Sequence, residues 1–225
     1  MRVAALFSGG KDSNYAVFWA LHQGWDVPYL ITVFSENRYS YMFQTAGVNI
    51  TELSAKAIGI EHIKVFTSGE KEKELYPLEN ILKKLDIDGI VSGAVRSEYQ
   101  RRRLDQICHN ACIKSFAPLW HKNPVKMIVE MIDEGWDIRV SGIFSEGLKP
   151  NFLGKKFDNN MYRYLINLKK KYKINIDGEG GEFETIVTYG PIYRKKIEII
   201  DYDILWDGMS GYLIVKHAEL CDPNK

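Results

Sequence analysis

A short apolar run at residues 2–7 breaks off into Ser8-Gly9-Gly10-Lys11-Asp12-Ser13, and helix-forming sequence carrying Tyr15, Val17, Phe18, Trp19 and Leu21 follows at once. This order of strand, glycine turn and helix constrains the fold more than any other feature, because the helix has to cross back over the sheet before the next strand can join it. The order recurs. Residues 27–34, 62–66 and 87–92 read as strands, rich in branched and aromatic side chains, and 48–58, 70–85 and 97–111 read as helices. Pro77 marks the start of the middle helix or a kink in it, and Ser97 is placed to cap the last. Residues 114–118 form a short strand or connector, and 124–134 a helix with Pro124 in its first turn. Parallel strands need such crossovers, so the pattern predicts an α/β fold, a Rossmann-like open parallel sheet covered by helices.

After Trp136 the rhythm changes. Strands are expected at 138–143, 186–189, 196–204 and 211–216, a helix at 160–172 and a polar loop at 179–185, with a turn near Asp207 and Gly208 joining the last two strands. The expectation is a nucleotide-binding domain at 1–135 and a smaller α+β substrate-binding domain at 136–225, with no flexible linker between them.

Composition excludes several classes. Thirty basic residues balance 29 acidic ones, so net charge gives no attraction to nucleic acid or anionic membrane, and neither is expected as a direct partner. No run approaches the ~18 apolar residues of a spanning helix. Three cysteines are too few for a secreted disulfide framework, which fits a cytoplasmic protein, and self-association stays open. Cys108 and Cys112, four apart in a predicted helix, are expected to pack on one buried face rather than to bind zinc.

The glycine loop is an anion site. A helix N-terminus directs unsatisfied N–H groups and a partial positive charge at one point, and Gly9 and Gly10 let a phosphate come close to the chain. Ser8 and Ser13 add hydroxyl donors and Lys11 a point charge, whereas the Asp12 carboxylate repels phosphate unless it caps the helix, orients a neighbour or meets Mg²⁺. The spacing matches neither G-x-x-x-x-G-K-[ST] nor G-x-G-x-x-G. It resembles the S-G-G-x-D-S pyrophosphate loop of the N-type ATP pyrophosphatases, whose fold is that of the adenine nucleotide alpha hydrolases. The resemblance implies that ATP adenylates a substrate oxygen while Ser8, Gly9, Gly10, Lys11, Asp12 and Ser13 hold the departing pyrophosphate or its Mg²⁺. Ligands of open parallel sheets sit beyond the carboxyl ends of the strands, so Val33 and Phe34, with Gly93 and Ala94, are candidates to line adenine and ribose.

Two further strings narrow the class. Gly93-Ala94-Val95-Arg96-Ser97-Glu98-Tyr99-Gln100-Arg101-Arg102-Arg103 runs from a strand end into a helix, where its arginines could clamp phosphate or carboxylate; the plainer alternative is a solvated face paired with Glu98 and Asp105. Gly178-Glu179-Gly180-Gly181-Glu182-Phe183-Glu184-Thr185 crowds three carboxylates that repel one another unless they meet a metal, an ammonium ion or solvent, the alternative being an exposed acidic turn. These strings in this order, with Pro118-Leu119-Trp120 between them, are similar to the diphthine–ammonia ligase family over residues 1 to about 190. One departure is Gln44 in Tyr41-Met42-Phe43-Gln44, where the family pattern leads one to expect histidine.

The family resemblance implies an ATP-dependent ligase that adenylates the carboxylate of diphthine on translation elongation factor 2 and amidates it with ammonia, releasing AMP and pyrophosphate. It implies catalytic roles for Lys11, Asp12, Glu182 and Glu184, with Asp12 toward Mg²⁺. Ser97, Tyr99, Gln100, Arg101 and Arg103, with Glu179, Gly180, Gly181, Glu182, Glu184 and Thr185, would bind the substrates, and Glu182 or Glu184 would orient ammonium or take its proton. Two alternatives share the phosphate loop. A tRNA-modifying enzyme of the thiolase kind usually calls for a basic surface and a cysteine pair or zinc module, and a non-catalytic nucleotide-binding module needs no acidic string.

Overall fold

The computed structural model describes residues 1–35, 50–68 and 74–223. Five parallel strands, β1 (Arg2–Leu6), β2 (Asp26–Ser35), β3 (Glu61–Thr67), β4 (Gly89–Val91) and β5 (Lys114–Phe116), form a sheet in the order β3-β2-β1-β4-β5. β1 is central, and Val3, Ala4 and Ala5 are buried because side chains on both of its faces lie under cover. The helices are α1 (Lys11–His22), α2 (Thr51–Ile58), α3 (Tyr76–Leu82), α4 (Glu98–Asn110) and α5 (Pro124–Asp133). The chain leaves β1 toward β2 and β3 and later returns to β1's other side with β4, so strand order reverses between β1 and β4. The predicted Rossmann-like sheet is what forms.

The caps explain where helices begin. Ser97 accepts from the Gln100 N–H at 3.3 Å as the sequence suggests, and Asn123 caps α5 through the N–H groups of Val125 and Lys126. Helix α1 instead starts after Gly10, which has no side chain to cap it. Pro77 lies in the first turn of α3, which begins later and ends earlier than expected. Cys108 is buried, but Cys112 lies beyond the end of α4 and is exposed, so the expected shared buried face does not form. Gln44 lies outside the described residues.

The second sheet contains β6 (Asp137–Ile143), β7 (Phe183–Tyr189), β8 (Lys196–Trp206) and β9 (Gly211–Cys221), wholly antiparallel in the order β7-β6-β9-β8, with α6 (Asn159–Tyr172) after β6. Phe183, Glu184 and Thr185 belong to β7 rather than to a polar loop, and β8 and β9 run further than their apolar patterns suggested. One hydrophobic core runs from Val3 and Phe7 through Leu119, Trp136 and Phe157 to Val187 and Leu213, and so is shared by both sheets. Trp136 is 1 % exposed and meets Tyr15 and Phe18 of α1 edge-on, which fixes that helix against the second sheet.

Candidate active site

The phosphate loop is shaped by its own polar groups. Gly9 adopts φ +79°, a left-handed conformation that a side chain would resist. The Ser13 hydroxyl donates to the Gly10 carbonyl at 3.0 Å and accepts from the Ser8 N–H at 3.3 Å, while the Asn14 amide donates to the Gly9 and Gly10 carbonyls at 3.0 and 2.9 Å. The second sheet closes the loop from outside. The Lys11 N–H donates to Thr185 Oγ1 at 3.1 Å, the Val187 N–H to the Gly9 carbonyl at 2.9 Å, and the Tyr193 hydroxyl to Asn14 Oδ1 at 2.8 Å. Gly93, at the end of β4, touches the start of α1: a Cβ there would lie 2.6 Å from the Asp12 carbonyl carbon and 2.7 Å from the Ser13 nitrogen. Gly93 therefore lets β4 and α1 close on the switch point of the sheet.

A cavity of about 500 Å³ opens at that point, lined by Ser8, Asp12 and Ser13 of the loop, by Val33 of β2 and by Gly93 and Ala94 after β4. Ser97, Gln100, Glu179, Gly181 and Glu184 line it as well. Phosphate loop and acidic string thus share one chamber, although some 170 residues separate them in the chain. Lys11 Nζ lies 2.7 Å from Asp12 Oδ2, and its side chain is only 5 % exposed. Burial pulls the Lys11 pKa down, but Asp12, Glu179 and Asp177 outweigh that, so the net shift is upward and the ammonium form is held. The other Asp12 oxygen, Oδ1, is buried with no hydrogen-bond partner.

The three acids of the string separate by environment. Glu182 Oε1 accepts from the Asn175 N–H at 2.7 Å and the Asn175 amide at 2.8 Å, and Oε2 accepts from the Gly180 N–H at 2.9 Å, so this carboxylate ties residues 175–182 into a loop and is not part of the cavity lining. Glu184 sits on β7 opposite Gly142 and reaches the cavity. Glu179 also reaches it, and burial together with Asp12, and against the opposing pull of Lys11, raises its carboxyl to about 7. Asp177 has a fully buried side chain, neither oxygen hydrogen-bonded, with Arg96 Nη2 at 3.5 Å.

Two family models match the chain: the diphthamide synthase N-terminal domain over residues 1–115 and the diphthamide synthase C-terminal domain over residues 123–221. The chain belongs to the diphthamide synthase family. Diphthine–ammonia ligase of Homo sapiens is 35 % identical, with 99 % of this chain and 91 % of that protein covered, and the Rattus norvegicus protein of the same name is 34 % identical, covering 88 % and 83 %. The Schizosaccharomyces pombe diphthine–ammonia ligase is 29 % identical across 100 % of this chain, which spans 40 % of that longer protein. Among solved structures, a predicted subunit of tRNA methyltransferase from Methanocaldococcus jannaschii aligns at 17 % identity and a TM-score of 0.44, covering 84 % of this chain and 99 % of that one, a similarity too slight to bear on function.

Several residues that the motifs singled out stand away from the cavity lining. Phe34 stacks on Phe66 with ring centres 5.3 Å apart, Arg101 lies over the Trp120 ring at 4.5 Å and Arg103 over the Tyr99 ring at 3.6 Å. Gly180 and Glu182 shape the acidic loop, and Thr185 holds the Lys11 backbone. Asp177, Asn14 and Tyr193 escaped sequence reasoning. Asn14 adjoins the loop and offered some signal, whereas Asp177 and Tyr193 acquire meaning only through partners far away in the chain.

Proposed function

We propose that the protein is an ATP-dependent ligase that adenylates the diphthine carboxylate on translation elongation factor 2 and then amidates it with ammonium to diphthamide, releasing AMP and pyrophosphate in the cytoplasm. The observation that carries the reading is a single cavity lined by both the phosphate loop and the acidic string, in a chain similar along nearly its whole length to diphthine–ammonia ligases. A non-catalytic nucleotide module would have no need of buried acids beside its phosphate loop. A free carboxylate is a poor acyl donor, so the reaction first requires transfer to the α-phosphate of ATP and then displacement of AMP.

In the first half the Ser8 and Ser13 hydroxyls and the Lys11 ammonium bind and orient the pyrophosphate portion, stabilising negative charge as it develops on the leaving group. Val33, Gly93 and Ala94 line the adenosine side, and residues 136–225 present the acidic string to the same chamber. The unpartnered, buried Asp12 Oδ1 fits a cation, and Asp12 would hold Mg²⁺, which supplies charge neutralisation to the phosphates when bound. Gln100 and Ser97, which line the cavity, would receive the substrate carboxylate. In the second half a cavity carboxylate orients ammonium.

The test is incubation with ATP, Mg²⁺, ammonium and elongation factor 2 carrying diphthine. AMP should accumulate with the mass decrease that replacement of a hydroxyl by an amino group produces in the factor. ADP as product, or AMP without that mass change, overturns the reading.

A further inference from the structure

Resting on the ligase reading, we infer that Glu179, rather than Glu182 or Glu184, receives the ammonium ion and takes its proton. The three carboxylates of the string are equivalent on paper and unequal in space. Glu182 spends both oxygens on Asn175 and Gly180, and turning it toward a substrate would undo the loop that carries its neighbours. Glu184 sits on β7 opposite Gly142 and already has an interaction of its own. Glu179 lines the cavity and, among the described residues, its carboxylate makes no hydrogen bond and no ion pair.

The charges around Glu179 call for a cation. On its own loop stands Asp177, fully buried with both oxygens lacking a hydrogen bond; from α1 come Asp12, with one buried unpartnered oxygen, and Lys11; from the segment after β4 comes Arg96; from β7, Glu184 lines the same cavity. Acids outnumber the cations Lys11 and Arg96 around Glu179, so a cation that donates hydrogen bonds is favoured beside it. Ammonium is a monocation with donors on every side, and it is also the second substrate.

The chemistry balances. Ammonium gives one proton to the Glu179 carboxylate, and the freed lone pair of ammonia forms the N–C bond at the acyl carbon of the adenylate. The C–O bond to AMP breaks with its electron pair leaving on the phosphate, and the second proton departs from nitrogen to solvent. The raised carboxyl of Glu179 suits this, since a stronger base near neutrality accepts that proton more readily.

Hydroxylamine separates this role from all others, because it is uncharged near neutral pH and needs no base to free its lone pair. The Glu179→Gln variant is compared with wild type using ammonium and hydroxylamine as nucleophiles, with ATP, Mg²⁺ and diphthine-bearing factor in both. The ratio of ammonium-dependent amide to hydroxamate should fall by about a hundredfold, within the range of general acid–base contributions. Glu179→Asp, which keeps the carboxylate on a shorter stem, should fall between the two. An unchanged ratio in both variants, or a drop that Glu182→Gln reproduces, overturns the inference. Failure of the wild type to form either product on the factor would instead overturn the ligase reading itself.

Discussion

The phosphate loop and the acidic loop line the same chamber and are built by opposite means. The first is made of consecutive residues whose neutral hydroxyls, amide and carbonyls bond mainly to one another within residues 8–14, with Thr185, Val187 and Tyr193 closing it from outside. The second folds around one carboxylate, Glu182, and holds others in a place that does not neutralise them. An anion site can be assembled from local backbone geometry. A site that keeps negative charge short of partners has to be enforced by surrounding structure, here by β7 and the packing of the second sheet on α1.

The comparison breaks most visibly at Asp12, the only member of the phosphate loop that carries negative charge. Asp12→Ala should lower ATP–pyrophosphate exchange with the diphthine-bearing factor by at least about a hundredfold; a rate near wild type would remove Asp12 from the chemistry. Gly93→Ala inserts a methyl against the backbone of Asp12 and Ser13, so α1 must shift, and ATP should bind at least about tenfold more weakly, as binding isotherms would register. Undiminished affinity would mean that β4 can retreat from the loop.

Glu182→Gln keeps the shape of the side chain and loses acceptor capacity toward Asn175 and Gly180. Its Tm should fall by about 4 °C, while ATP affinity holds, because the loss is confined to the acidic loop. Thr185→Val leaves the Lys11 N–H without its acceptor, a loss of about 1 kcal/mol that thermal unfolding would register as about 2–4 °C.

The smallest effect is a pH dependence. Glu179 titrates at about 7 in the folded protein against 4.5 ordinarily, so between those values the folded state binds more protons than the unfolded one, and the contribution of Glu179 to stability declines as pH rises through that window. Glu179→Gln should therefore gain Tm relative to wild type at pH 8 but not at pH 4. An equal difference at both pH values would mean that the carboxyl is not strained by its neighbours.

The strand–turn–helix pattern at residues 2–22, the alternation behind the five-stranded sheet, the Ser97 cap and the six-residue phosphate loop were all legible, because each depends on neighbours in the chain. The acidic string was legible as a cluster and misread in detail. Its alternation of glycine and acid suggested a loop throughout, yet Phe183-Glu184-Thr185 is strand, since pairing with β6 overrides weak local propensity. Of the two readings of the α4 arginines, the pairing with Glu98 and Asp105 is present, through Arg102 and Arg101, while Arg101 and Arg103 also lie over aromatic rings and Arg96, just before the helix, is the one near the acidic loop.

The sequence by itself determined the class of sheet and the glycine turn that opens α1, for these follow from periodicity and from consecutive residues, while ATP use came through the resemblance of its strings to a family. Only the tertiary structure decided which acid is spent on folding and which ones face the cavity. Glu179, Glu182 and Glu184 differ in burial and partners, and those come from Asn175, Asp177, Arg96 and Asp12, groups that no spacing within the string could have supplied.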